Sequence, residues 1–397
     1  MNRPPLEVAD IVRYAGESFV ERSRRWINWQ HQKVLLAITR CRTAALGGHR
    51  DHCSDCGHTI AVSYNSCRNR HCPRCQGNAR ARWLQAREQE LLPTRYVHVV
   101  FTLPRELAPL ALQNKRLIYN LLFHSSAETL LEIASDPRHL GAEIGFFSVL
   151  HTWNQRLQFH PHIHCVLAAG GLAPDHSRWI ASRSSFFLPI GVLSRVFRGK
   201  FLAGLKAAFR EGKLQFHGSL TSLATPYVFA SWLRILFRHE WFVYSKRPFK
   251  GAEHALSYLS AYTHRVAISN RRLVSLADGN VTFRWRDSAH RNKKRLMTLP
   301  VDEFLRRFLL HLLPRGFVRI RNFGFLANRR RSALLPLCAR LLNAPVRARA
   351  TRSVATETKG LAFRKCPHCG GAMKVVERFT AAQLRLRAPP VPLRGAA

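Results

Sequence analysis

The stretch His160-Pro161-His162-Ile163-His164-Cys165-Val166-Leu167 decides how the chain is read. In an extended strand alternate side chains share a face, so His162 and His164 point the same way while Ile163 packs beneath. Two imidazoles on one strand face can share a metal ion. An H-x-H pair alone is more often an ordinary core or surface pair, and its surroundings shift the weight toward metal. His160 fits poorly as a third ligand, because residues 160 and 164 of a strand lie about 13 Å apart. His151 ends the predicted strand from Gly145 to Thr152, and a hairpin through 154–159 brings it beside His162. His98 is a lesser alternative.

Outward from this motif, Tyr96 to Pro104 is β-branched and aromatic and reads as a strand, as does His162 to Ala169. Val266 to Ile268 and Val281 to Arg286 read as further strands around the Asp278-Gly279-Asn280 turn. Helical patterns cover 5–40, Asn78 to Leu92, 107–133, Gly251 to His264 and Pro300 to Leu313. Strands and helices in this irregular order predict an α+β fold. The expected divisions are an N-terminal helical segment (1–38), a zinc-binding, DNA-contacting module (39–92) and a catalytic domain (93–290). A basic helical region (291–345) and a flexible tail with a CxxC knuckle (346–397) follow.

In the predicted helix from Gly251 to His264, Tyr258 and Tyr262 stand one turn apart, so both hydroxyls project from one face. An aromatic core stripe would show the same spacing. The chemistry favours nucleophiles: a phenolate that attacks a phosphodiester stores the bond energy as phosphotyrosine, provided a cation draws charge from the phosphate. Arg265, Arg271 and Arg272 follow and are expected to hold the strand by its phosphates.

Cysteines form a second constellation. Cys53-x2-Cys56 and Cys72-x2-Cys75 predict four thiolates around a structural zinc, with Cys67 and His71 as alternate ligands. A closed four-ligand site leaves no position for substrate. The module should therefore grip DNA, through Arg68, Arg70 and Arg74 with Arg80 and Arg82. Cys366 and Cys369 make half a site, which Cys338 or a partner chain could complete.

Sixty-three Lys and Arg against 23 Asp and Glu leave a net charge of +40 on 397 residues. Such an excess calls for a polyanion, and basic residues interleave with aromatics, as in Phe283-Arg284-Trp285-Arg286. No run of 18 or more apolar residues suits a membrane. The first thirty residues lack the apolar region of a signal peptide, so a cytoplasmic, nucleoid-associated protein is expected, with its ten cysteines reduced.

Together these features resemble the two-tyrosine, HUH-type rolling-circle transposases whose type member is insertion sequence ninety-one. The likeness spans nearly the whole chain. It rests on Tyr64-Asn65-Ser66-Cys67-Arg68-Asn69-Arg70-His71-Cys72-Pro73-Arg74-Cys75, on His98 to Pro104, on His160 to His164, on Tyr258 to Arg265, and on Phe304 to Phe308 with Leu313 to Phe317. The resemblance implies a nuclease core whose central antiparallel sheet carries His162, Ile163 and His164, with flanking helices and the tyrosine pair beside it. It implies Mg²⁺ or Mn²⁺ at the histidines, although three imidazoles suit zinc, nickel or cobalt equally. The implied activity is nicking and rejoining of single-stranded DNA at the ends of a mobile element and at its target. A plasmid replication initiator or relaxase of the same chemistry, and a non-catalytic zinc protein that binds nucleic acid, are the competing readings.

Overall fold

The computed structural model describes residues 4–75, 83–88, 90–183, 187–249, 267–287, 290–343 and 364–386. Tyr258, Tyr262, Arg80, Arg82 and Arg265 lie outside the described residues. In chain order the strands are β1 (Gly48–Cys53), β2 (Thr59–Tyr64), β3 (Tyr96–Thr102), β4 (Gly145–Trp153), β5 (Phe159–Ala168), β6 (Gly170–Leu172) and β7 (Trp179–Ala181). They continue with β8 (Val243–Phe249), β9 (Leu273–Ala277), β10 (Asn280–Asp287), β11 (Lys293–Pro300), β12 (Ile320–Gly324), β13 (Arg364–Lys365) and β14 (Ala372–Phe379).

The central sheet has five strands in the order β12-β4-β5-β3-β8, each antiparallel to its neighbours. Strand alternation sorts its residues by face. Val97, Val99 and Phe101 of β3, Phe146 and Leu150 of β4, and Ile163, Cys165 and Leu167 of β5 form one buried face. The helices Lys115–Ser135 and Ile190–Arg210 cover it with Ile118, Leu122, Phe123, Phe197 and Phe201. The opposite face carries Tyr96, Phe147, Val149, Val166 and Ala168, packed against Phe325, Leu334 and Cys338. Cys338 is thus a core residue of this layer and does not complete the Cys366 and Cys369 pair. The histidines occupy the rest of that face.

Beside this sheet, β9, β10 and β11 form a three-stranded antiparallel sheet. Asp278 and Gly279 join β9 to β10 with φ of 48° and 70°, the two positive φ values of a type I′ hairpin turn. The strand expected at 266–268 is instead β9, at Leu273–Ala277; Ala267 and Ile268 are buried, but Ala267 turns at φ 38° and cannot extend. The sequence reading missed β11, whose mostly exposed, basic residues show little apolar alternation. Phe283 of this sheet packs with Phe304 and Phe308 of the Val301–Leu310 helix and with Ile11 and Phe19 of the Val8–Arg22 helix. One core therefore joins the N-terminal helices to the region expected to be a separate C-terminal unit.

Residues 364–386, within the segment expected as a flexible tail with a CxxC knuckle, form β13, β14 and a short helix. These strands complete a four-stranded sheet, β13-β14-β1-β2, with β14 antiparallel to β1. Among the described residues, no single helix is long and apolar enough to cross a membrane.

Candidate active site and thiol clusters

Antiparallel register places His151 of β4 directly opposite His162 of β5, and His164 follows on the same face. The ligating nitrogens of all three lie within 4.8 Å of one another, so small side-chain rotations bring them onto one ion. His162 Nδ1 donates to the His160 carbonyl at 2.7 Å, which leaves Nε2 to carry the lone pair. His160 thus serves through its backbone. His164 Nδ1 and His98 Nε2 share a hydrogen bond of 2.8 Å between parallel rings, which makes Nε2 the nitrogen with which His164 would ligate. Burial pushes His162 down to about 3 and His164 well below the ordinary imidazole range, so both rings are neutral donors near pH 7. Trp153 stacks on His151 with ring centres 4.5 Å apart.

The three histidines open into a cavity of about 420 Å³ whose walls include Trp153, Asn154, Arg156, Arg272, Trp285 and Asp287. The Arg156 guanidinium lies 4.3 Å from the Trp285 ring centre. Arg272 Nε donates to the Arg284 carbonyl at 2.7 Å, and its Nη2 donates to the Gln155 carbonyl, so this guanidinium is fixed at the rim. Arg271 is exposed beside it. Asp287 accepts from Arg295 Nε at 3.0 Å, which keeps most of the wall's charge positive. Such a wall suits a phosphodiester. A larger cavity of about 620 Å³ is lined by Glu128, Glu132 and Glu143, a poor environment for phosphate.

The structure divides the cysteines differently from the sequence reading. Cys72 and Cys75 converge with Cys41 and Cys67, whereas Cys53 and Cys56 converge with Cys366 and Cys369. The reason is the length of β2: six extended residues carry the chain roughly 20 Å from the Cys53 and Cys56 turn before the second pair begins. In the first cluster Cys75 Sγ stands 3.5 Å from both Cys41 Sγ and Cys67 Sγ. Four thiolates about 2.3 Å from zinc have a tetrahedral edge of roughly 3.8 Å, so this cluster fits the ion closely. Cys67 is a member and His71 is not: His71 Nε2 accepts from the Leu313 backbone at 3.1 Å.

The arginines also divide. Arg68 is exposed, and Arg70 reaches the Phe317 carbonyl at 2.7 Å. Arg74 is turned inward, paired with Glu7 and donating to the Cys41 carbonyl at 2.7 Å. Sequence reasoning placed Cys41 inside the 39–92 module, directly after the Trp29–Arg40 helix, but did not count it among the ligands. It also missed Arg156 and Asp287, which no motif marks.

Residues 145–333, which hold β4, β5 and the three histidines, match the family described as "Putative transposase". Residues 11–103 match the family described as "Transposase zinc-binding domain". The "Putative transposase y4qJ" of Sinorhizobium fredii (strain NBRC 101917 / NGR234) is 51% identical over 387 residues, 96% of this chain and 97% of that relative. The chain belongs to the insertion sequence ninety-one family of transposases. The transposase is also similar to the "Transposase for insertion sequence element IS801" of Pseudomonas savastanoi pv. phaseolicola, 29% identical over 310 residues, 77% of this chain and 72% of that relative. No solved structure matches it. As a transposase it has DNA as its partner, and its zinc-binding match spans Cys41, Cys53, Cys56, Cys67, Cys72 and Cys75 but stops well before Cys366 and Cys369.

Proposed function

We propose that this transposase nicks and rejoins single-stranded DNA through 5′-phosphotyrosine intermediates, with Tyr258 and Tyr262 as nucleophiles, in rolling-circle-type transposition. The observation that carries the reading is the convergence of His151, His162 and His164 in a cavity walled by Arg156 and Arg272. A divalent cation, Mg²⁺ or Mn²⁺, held by the three imidazoles would draw charge from the non-bridging oxygens of the scissile phosphate. Arg156 and Arg272, with exposed Arg271, position the strand by its phosphates, and Trp285 offers an apolar surface beneath Arg156.

In the nicking step a tyrosine phenolate oxygen bonds to phosphorus, the bond from phosphorus to the 3′ oxygen breaks, and the departing oxygen takes up a proton. Rejoining reverses the exchange: a 3′-hydroxyl gives up its proton, attacks phosphorus and expels the tyrosine. With two tyrosines, one end stays attached while a second phosphate is attacked. Zinc at Cys41, Cys67, Cys72 and Cys75 is structural, because four thiolates leave no position for substrate.

The test is incubation with labelled single-stranded DNA from the element's ends, followed by a denaturing gel. Wild type should form a covalent adduct, and Tyr258→Phe/Tyr262→Phe should form none while still binding DNA. An adduct with the double variant would place the nucleophile elsewhere.

A further inference from the structure

Cys53-Ser54-Asp55-Cys56-Gly57 and Cys366-Pro367-His368-Cys369-Gly370 are two C-x2-C-G turns more than three hundred residues apart in the chain. They fold into the same backbone shape. Gly57 N donates to the Cys53 carbonyl at 3.0 Å, and Gly370 N donates to the Cys366 carbonyl at 2.9 Å. Cys53 N bonds the His58 carbonyl and Cys366 N the Gly371 carbonyl, each at 2.8 Å. Gly57 and Gly370 take φ of 73° and 76°, the left-handed conformation that closes each turn. Gly371 N also points to Cys369 Sγ at 3.4 Å, a contact that stabilises a thiolate.

The pairing of β1 with β14, which sets Cys53 opposite Met373, brings these turns face to face. Cys53 Sγ then lies 3.6 Å from Cys369 Sγ, and Cys56 Sγ 3.6 Å from Cys366 Sγ, with all four sulfurs within 4.8 Å. These spacings match the roughly 3.8 Å edge of a zinc tetrathiolate and are far from the roughly 2.05 Å of a disulfide. The apolar support here is slight. Cys53, Cys366 and Met373 form one small buried cluster with Ile60 against it, and Phe379 and Leu384 are buried toward the other end of β14, a slight core for a four-stranded sheet that a metal staple would reinforce.

We infer that Cys53, Cys56, Cys366 and Cys369 form a second structural zinc site, split between distant parts of the chain, that fastens residues 364–386 onto the N-terminal zinc module. The module that matches residues 11–103 is then incomplete without the C-terminal segment. The site is separate from the histidine cavity and does not depend on the nicking chemistry.

Cobalt(II) replacing zinc in the full-length protein gives the test, because the sulfur-to-cobalt charge-transfer band reports thiolate sites and ignores a metal held by histidines. Wild type should take up two tetrathiolate equivalents per chain. Cys366→Ser/Cys369→Ser should lose about half the band and one zinc by elemental analysis, and Cys53→Ser/Cys56→Ser should match it. Cys369→His, which keeps four ligands, should retain two metals with a shifted cobalt spectrum, so loss of metal and loss of folding can be told apart. A single thiolate site in wild type, or an unchanged band in Cys366→Ser/Cys369→Ser, would overturn the inference.

Discussion

Gly324 ends β12 at φ 60°, where a Cβ would lie 1.7 Å from the Ile144 carbonyl oxygen. Neither the backbone angle nor the space admits another residue. Gly324→Ala should therefore cost about 2 kcal/mol or more, read as a lowered denaturation midpoint, because the edge strand of the central sheet must shift. Lys115 illustrates a different strain. Its Nζ donates to the carbonyls of Leu310 at 2.7 Å and Leu312 at 3.1 Å, yet desolvation lowers its pKa from 10.5 to about 8. Between those two values the unfolded chain holds a proton that the folded chain has released, so raising the pH through this window stabilises the fold. The melting temperature of wild type relative to Lys115→Met should climb from about pH 7.5 to about pH 10. A constant difference would show that Lys115 titrates at its ordinary value.

Among the elements, β5 was the most legible. Its period-two pattern puts Ile163, Cys165 and Leu167 into the core and His162 and His164 on the other face, which follows from strand geometry alone. The β9–β10 turn was equally readable, since Asp-Gly-Asn states its backbone angles. Less could be read where a partner lies far away in sequence. Cys53 and Cys56 carry no mark that directs them to Cys366 and Cys369, because that choice is made by the pairing of β1 with β14. The edge strand β12 and the basic strand β11 were hidden for a related reason: their short or exposed sequences gain order from neighbours and lack an apolar rhythm of their own. The arrangement of β4 and β5 yields its own prediction. His162→Ala and His164→Ala should abolish cleavage in Mg²⁺ or Mn²⁺ and leave DNA binding nearly intact, and His151→Ala should follow them. His160→Ala should be mild, because His160 contributes a backbone carbonyl to His162. Full activity in His151→Ala would remove it from the ligand set.

Across the whole molecule, the charge of +40 is distributed without a single basic tail to account for it. The acidic residues already subtracted in that figure sit partly in internal pairs: Arg74 faces Glu7, Arg330 faces Glu143, and Arg307 faces Glu303. With 23 acidic residues against 63 basic ones, such pairs can neutralise only a minority of the cations. The remainder raises the local concentration of any polyanion and of the small anions that compete with it. Each phosphate neutralised on binding releases condensed counterions, which makes affinity fall linearly in log–log form with salt. For a single strand the slope is about 0.7 per phosphate, so an interface engaging about six to ten phosphates should give roughly 4 to 7. The measurement is a titration of labelled single-stranded DNA by anisotropy across a range of salt, with the proposed nucleophiles removed by Tyr258→Phe/Tyr262→Phe. Replacing exposed Arg68 and Arg271 should lower the slope by about 0.7 for each phosphate the variant no longer neutralises, whereas replacing the inward-facing Arg74 should destabilise the protein and leave the slope unchanged. A flat salt dependence in wild type would mean that the positive surface is not where DNA is held, and that recognition resides in apolar surfaces such as those offered by Trp153 and Trp285.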